Sequence, residues 1–119
     1  MEKLPRMLKS SELDSLNSIS SSTFVLMKHW NIVVRGKVQK VFFRASSKAV
    51  ADQLGVKGFV VNQQDGSVYI EAEGEKFALD SFLEFVQEGP EDAIVDSLDY
   101  TVSEIKGFKN FEVIKKNKI

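Results

Sequence analysis

The spacing of apolar residues between positions 30 and 114 changes twice from the period of a strand to the period of a helix, and this restricts the fold more than any other feature. Apolar side chains that alternate with polar ones predict strands, whereas apolar side chains every three or four residues predict amphipathic helices. The strand period occurs in five segments, around residues 30–35, 59–62, 68–72, 95–103 and, as a short closing strand, 111–114. The helical period occurs in two segments, residues 43–54 and 78–86, each followed by a glycine at which a helix is expected to end.

The predicted order of elements is strand, helix, strand, strand, helix, strand. Between the second and third strands, Asp65 and Gly66 form a dipeptide that is typical of hairpin turns. This order is typical of the split βαβ arrangement. We therefore predict an α+β fold, a ferredoxin-like βαββαβ sandwich in which an antiparallel sheet carries two helices on one face. The aromatic residues of the second helix are expected in its core.

A short polar loop joins the first predicted strand to the first predicted helix, between Gly36 and Arg44. The first amides of a helix have no intrahelical acceptor and carry a partial positive charge, so a phosphate or carboxylate can bind there. Arg44 adds a planar fork of donors that can hold two phosphate oxygens. A strand, loop and helix with one arginine more often meet for structural reasons alone. By itself, this loop is therefore no more than a candidate anion site.

A second candidate is Asn62, which ends the second predicted strand just before the Asp65-Gly66 turn. An asparagine at such a position is usually a turn former whose side chain bonds its own backbone. Asn62 therefore becomes a functional candidate only in combination with the loop before Arg44.

The segments 36–44 and 58–68 together resemble the paired signatures of the acylphosphatase family, GxVQGVxFR and GFVxNxxDGS/TV. The residues that match are Gly36, Val38, Gln39, Val41, Phe43 and Arg44 in the first segment and Gly58, Phe59, Val60, Asn62, Asp65, Gly66, Ser67 and Val68 in the second. The resemblance extends from about residue 28 to residue 115. The sequence departs from the family pattern at Lys40, where the family has a second glycine.

The resemblance implies hydrolysis of small-molecule acyl phosphates to a carboxylate and inorganic phosphate, without a metal or a cofactor. By the same resemblance, Arg44 matches the phosphate-binding arginine of the family and Asn62 matches its water-orienting asparagine. The phosphate cradle of the family corresponds to the backbone amides of Val38, Gln39, Lys40, Val41, Phe42 and Phe43.

The inventory of reactive side chains agrees with such a substrate. The chain has one histidine, His29, and no cysteine, and it shows no pair of carboxylates or His/Asp cluster at metal-ligand spacing. We expect His29 to be an ordinary surface residue. A site without a strong acid suits a leaving group that needs no proton, such as a carboxylate, whose conjugate acid has a pKa of about 4.

Lys40 allows three interpretations. If the family glycine has a left-handed backbone conformation, a lysine there costs about 1–2 kcal/mol, and the loop could shift to avoid that conformation. Alternatively, the ammonium group of Lys40 points toward the phosphate and strengthens its binding. In the third interpretation the side chain is simply solvated.

Composition limits the compartment and the partners. The 119 residues fit one domain, and a net charge of −1 argues against a broadly basic nucleic-acid surface. No apolar run approaches about 18 residues, so no transmembrane helix is expected. The absence of cysteine permits a reducing compartment. We expect a cytoplasmic monomer that binds a small-molecule acyl phosphate and neither nucleic acid nor membrane.

Residues 1–27 differ in composition from the rest of the chain, because they are rich in serine and lack a sustained apolar period. We predict a flexible N-terminal tail there and an acylphosphatase-like domain over residues 28–119. The serines interrupt the apolar centre that a signal peptide needs. One hypothesis is that translation can also start at Met27.

Two other interpretations remain open at this point. The first is a non-enzymatic ferredoxin-like module that binds anions or nucleic acid, because the segment 57–60 is similar to the start of an RNA-recognition motif. That motif belongs on a third strand, whereas this segment is predicted on the second. The second interpretation is an acylphosphatase scaffold that serves a larger assembly.

Overall fold

The computed structural model describes residues 26–115, so the predicted tail lies outside the described residues except for Leu26 and Met27. The described part contains five strands and two helices, namely β1 (Met27–Lys37), α1 (Phe43–Leu54), β2 (Lys57–Asn62), β3 (Val68–Glu75), α2 (Lys76–Glu88), β4 (Ile94–Ser103) and β5 (Phe111–Ile114). The predicted order of elements is confirmed, including the short closing strand.

The strands form one sheet in the order β4-β1-β3-β2-β5. The four strands β1 to β4 pair antiparallel, as predicted, but β5 pairs parallel with β2, so the complete sheet is mixed. The difference arises because the connection over residues 104–110 carries the chain from the β4 edge to the opposite edge, where β5 runs in the same direction as β2. The fold is the predicted ferredoxin-like sandwich with one parallel strand added.

The core lies between the sheet and the two helices, which pack against each other on one face. Even-numbered residues of β1 and β3 point to this face, and the register pairs Ile32 with Ile70, both fully buried. On α2, Phe82 is fully buried and meets Phe111 of β5 edge to face, with ring centroids 5.8 Å apart. The prediction that the aromatic residues of the second helix belong to the core is confirmed for Phe82, and Phe85 is partly buried against the core. It is wrong for Phe77, which lies in the first turn of α2 and is 79% exposed.

The opposite face of the sheet contradicts the expectation for His29, which is fully buried. Its Nδ1 lies 2.8 Å from Oε1 of Glu73 and its Nε2 lies 2.9 Å from Oε1 of Glu71. Both ring nitrogens of His29 thus lie within hydrogen-bond distance of a glutamate side chain, so the buried ring has a polar partner on each side. The prediction failed because both partners are more than 40 residues away in sequence and meet His29 only through the β1–β3 register.

Glu71 and Glu73 make the free energy of unfolding depend on pH in the acid range. Burial by itself raises the pKa of each carboxyl, but hydrogen bonds from Lys106 and His29 outweigh burial and hold the pKa of both Glu71 and Glu73 below the ordinary value. A carboxyl with a depressed pKa in the folded state stabilises the fold above its unfolded pKa, and this contribution is lost as the pH falls through its folded pKa.

We therefore expect the free energy of unfolding in urea to decrease between about pH 5 and pH 3. The variant Glu73→Gln cannot lose a charge at this position, so its free energy of unfolding should decrease less over the same interval. Equal decreases in the variant and the original protein would contradict the role given to Glu73.

Candidate active site

A glycine directs the chain out of β1 into the loop before α1. Gly36 has a φ of 129°, and a Cβ at this position would lie 2.2 Å from the carbonyl oxygen of Ile94. The register between β1 and β4 shifts at this point, between Arg35 and Gly36. Only glycine fits such a close approach, and the resulting irregularity releases the following residues from the sheet.

The loop between β1 and α1 is anchored by Val38 and Val41, which are buried, and contains two residues with left-handed backbones. Lys40 has a φ of 64°, and Phe42, the residue that precedes α1, has a φ of 62°. A residue other than glycine pays about 1–2 kcal/mol for this conformation. The interpretation in which the loop shifts so that Lys40 avoids a left-handed backbone is therefore wrong.

The backbone amides of this loop are available as donors. Within residues 26–115, the N–H groups of residues 38–42 form no hydrogen bond with backbone or side chains. They lie directly before α1, where the amides of the first helical turn also lack intrahelical acceptors. The loop and the helix start thus present several unpaired donors and the positive end of a 12-residue helix to an anion.

The side chain of Gln39 connects the loop to the β2–β3 hairpin. Its Nε2 donates to the carbonyl oxygens of Gln63, at 2.8 Å, and Ser67, at 2.9 Å. The sequence predicted a role in the phosphate cradle only for the backbone amide of Gln39, and not this role of its side chain. The side chain fixes the loop relative to the strand end that carries Asn62, and the signature glutamine was the available signal for this contact.

Arg44 lies in the first turn of α1 and is half-buried. One terminal nitrogen of its guanidinium donates to the carbonyl oxygen of Ile114 on β5, at 2.9 Å. The other guanidinium N–H groups form no hydrogen bond with the described residues, so they remain available for a ligand. Ile114 was not predicted as part of the site. Every residue has a backbone carbonyl, so the residue type does not indicate this contact.

Asn62 is the last residue of β2 and points to the same face as Val60, toward the helices. Its carboxamide oxygen is buried and has no hydrogen-bond partner among the described residues. The turn is instead stabilised by Asp65, whose Oδ1 accepts from the backbone N–H of Ser67 at 2.9 Å and from its hydroxyl at 2.6 Å. These bonds hold the pKa of the Asp65 carboxyl below its ordinary value. The turn is therefore stabilised without the carboxamide oxygen of Asn62.

One cavity of about 490 Å³ brings most of these groups together. It is lined by Val38, Lys40, Phe42, Phe43, Arg44, Ala45, Asn62, Val113 and Lys115. Six of the eight residues predicted for the site thus line one cavity, whereas Gln39 and Val41 support the loop from outside the lining. Three cationic side chains and no carboxylate face this space, so the cavity suits an anion.

The described residues contain no candidate metal site and no helix that could span a membrane. Within residues 26–115, no group of three or more histidine, cysteine, aspartate or glutamate side chains is arranged to hold a metal ion. None of the helices in that part of the chain is long and apolar enough to cross a membrane. The polar groups at the cavity are the cationic side chains of Lys40, Arg44 and Lys115, the carboxamide of Asn62 and the loop amides.

Three kinds of comparison with known proteins point to the same family. The acylphosphatase family model matches residues 30–113. An acylphosphatase of Archaeoglobus fulgidus is 46% identical over 82 residues, which cover 69% of this chain and 92% of that protein. An acylphosphatase of Ligilactobacillus salivarius is 42% identical over 89 residues, which cover 73% of this chain and 98% of that protein. The crystal structure of acylphosphatase from Bacillus subtilis aligns with a TM-score of 0.72 at 36% identity, over 75% of this chain and 99% of that one.

Proposed function

Because the chain belongs to the acylphosphatase family, it is a hydrolase of acyl phosphates, and we propose that Arg44, Asn62 and the amides of residues 38–43 carry out the reaction. The observation that carries this proposal is that the guanidinium of Arg44 and the unpartnered carboxamide oxygen of Asn62 meet in one cavity beside unpaired loop amides. The proposal is tested most simply by hydrolysis of benzoyl phosphate in the presence of EDTA.

Arg44 and the loop amides bind the phosphoryl group. The amides and the positive end of α1 attract the phosphate oxygens, and the remaining N–H groups of Arg44 hold two of these oxygens at once. Because Ile114 fixes the guanidinium from the side of β5, Arg44 is oriented before the substrate binds. In the loose transition state of phosphoryl transfer the same donors stabilise the charge on the equatorial oxygens.

Asn62 orients the attacking water. Its carboxamide oxygen accepts a hydrogen bond from one O–H of the water, which directs a lone pair of the water oxygen toward phosphorus. A bond forms between the water oxygen and phosphorus while the bond between phosphorus and the acyl oxygen breaks. The electron pair of that bond leaves with the carboxylate, and a phosphate oxygen of the substrate accepts the proton of the water.

The leaving group explains why an arginine and an asparagine are sufficient. A carboxylate has a conjugate acid pKa of about 4 and departs without a proton at neutral pH. Phe42, whose side chain is 77% exposed at the cavity, offers apolar surface to the acyl group. The site is therefore matched to small acyl phosphates.

Lys40 adds positive charge to the cavity at a cost in backbone strain. We expect Lys40→Gly to raise the free energy of unfolding by about 0.5–1 kcal/mol, because glycine adopts the left-handed conformation without strain. We expect the same variant to weaken inhibition by inorganic phosphate by about two- to fivefold, the effect of one exposed charge.

The variant Lys40→Met separates these two effects, because methionine keeps the backbone strain and removes the charge. It should weaken phosphate inhibition as Lys40→Gly does without raising the free energy of unfolding. Inhibition constants that stay unchanged in both variants would show that the ammonium group of Lys40 is only solvated.

The remaining expectations also belong to the proposal. We propose that the protein acts as a monomer in the cytoplasm and binds no nucleic acid. The net charge of −1 supports the absence of nucleic-acid binding, and the absence of cysteine is compatible with a reducing compartment. Retention of single-stranded RNA in a filter-binding assay at moderate salt would instead favour the interpretation as a nucleic-acid-binding module.

A further inference from the structure

We propose that a polar cluster with a buried centre, on the sheet face opposite the helices, positions Arg44 by fastening the connection that leads into β5. The cluster consists of His29, Tyr69, Glu71, Glu73 and Lys106, and is called the His29 cluster below. This inference rests on the proposed function of Arg44 in phosphate binding. None of the five side chains lines the cavity, so their effect on the reaction must act through other residues.

The two carboxylates of the cluster hold the β4–β5 connection against the sheet. Glu73 accepts hydrogen bonds from the backbone N–H groups of Lys106 and Gly107, both at 2.8 Å. Glu71 accepts from the ammonium group of Lys106 at 2.9 Å and from the hydroxyl of Tyr69 at 2.7 Å. Glu73 thus fixes the main chain of the connection at two successive residues, and Glu71 holds the side chain of Lys106.

His29 keeps both carboxylates in place. Its ring nitrogens hydrogen-bond to Glu71 on one side and to Glu73 on the other, while the ring of Phe108 stacks on it with centroids 5.7 Å apart. Without the ring of His29, two buried carboxyl groups on the same face of the sheet would each lose a hydrogen-bond partner, which is strongly unfavourable. His29 therefore determines whether the connection can remain bound to the sheet.

The connection in turn determines where β5 lies. Only three residues separate Gly107 from Phe111, the first residue of β5, and the carbonyl oxygen of Asn110 already accepts from the N–H of Gly58 at 2.9 Å. β5 has four residues and pairs with β2 alone, at the edge of the sheet. A strand this short depends strongly on how the chain enters it.

β5 carries the acceptor that orients the catalytic arginine. The carbonyl oxygen of Ile114 accepts from Arg44 at 2.9 Å, and the carbonyl oxygen of Phe111 accepts from the ammonium group of Lys48 at 2.9 Å. Both bonds tie β5 to α1. If the connection is released, β5 moves and the guanidinium of Arg44 loses its fixed orientation. His29 is therefore a positioning residue for Arg44.

The first test uses His29→Gln, whose only side-chain nitrogen cannot replace two ring nitrogens that face different carboxyl groups. We expect the inhibition constant of inorganic phosphate and the KM for benzoyl phosphate to rise by about three- to tenfold, with a smaller effect on kcat. The matched control is Val86→Ala, which weakens the core from a fully buried position on α2, outside both the His29 cluster and the cavity lining. Both variants are assayed at a temperature at which circular dichroism shows them fully folded.

The outcome separates positioning from general stability. An unchanged phosphate inhibition constant in His29→Gln, or an equal increase in Val86→Ala, would overturn the proposal. If the original protein hydrolyses no benzoyl phosphate, the proposed function fails instead. The inference is then still tested by a second experiment, which measures hydrogen exchange with and without inorganic phosphate.

That second experiment uses the unaltered protein. If the cluster favours the orientation of Arg44 that binds phosphate, then phosphate must favour the cluster by the same factor. Saturating inorganic phosphate should slow hydrogen exchange at the amides of Lys106 and Gly107 by about three- to tenfold. The amide of Gly89, which bonds to Phe85 at the end of α2, reports any general stabilisation. Unchanged exchange at Lys106 and Gly107, or equal slowing at Gly89, would overturn the proposal.

Discussion

Replacement of Arg44 by lysine is expected to lower kcat/KM for benzoyl phosphate by about 10³-fold, the magnitude found when an arginine that stabilises a phosphoryl transition state is removed. Lysine keeps the positive charge but loses the planar fork, so it cannot bond to Ile114 and hold two phosphate oxygens at once. The inhibition constant of inorganic phosphate should rise together with KM, because the same donors bind substrate and product. Steady-state kinetics with benzoyl phosphate and phosphate measures both quantities.

The matched control for this variant is Arg35→Lys. Arg35 lies on β1, pairs with Asp65 in an exposed ion pair and does not line the cavity, so its replacement should leave both constants nearly unchanged. Near-normal hydrolysis by Arg44→Lys would show that charge alone is sufficient and would refute the role given to the guanidinium.

Replacement of Asn62 by alanine is expected to lower kcat by about 100-fold or more while the inhibition constant of phosphate stays nearly the same. In the proposed mechanism Asn62 orients the water and not the phosphate, and a small misplacement of a reacting group can cost a factor of this size. Turnover is measured with saturating benzoyl phosphate, and phosphate binding is measured by competition.

The chain offers a close control in Asn31, whose carboxamide oxygen is also buried without a hydrogen-bond partner. Asn31 lies on the opposite face of the sheet, away from the cavity, so Asn31→Ala should change stability and not turnover. If Asn62→Ala instead lost phosphate binding and turnover together, Asn62 would be a structural residue.

The order of elements could be predicted because apolar spacing depends on local sequence alone. The parallel pairing of β5 could not be predicted in this way, because it depends on where the connection over residues 104–110 takes the chain. The same limit explains the error on His29. A lone histidine next to a tail looked exposed, and its burial depends on two glutamates that only the sheet register brings to it.

The main residues of the candidate site could be predicted from the sequence, whereas the contacts that support them could not. The two signature segments indicated Arg44 and Asn62, and the structure brings both to one cavity. The contacts that hold them in place were missed, because they involve backbone carbonyls, as at Ile114, or a side chain that bonds to carbonyls, as at Gln39. Residue identities alone do not reveal such partners.

The central claim is that a water in the cradle of Arg44 and the loop amides attacks phosphorus and not the acyl carbon. Hydrolysis of benzoyl phosphate in ¹⁸O-labelled water with EDTA tests it directly, since the label marks the atom that the water attacks. The mechanism predicts hydrolysis with one labelled oxygen in inorganic phosphate and none in benzoate. Label in benzoate, or loss of activity in EDTA, would contradict it.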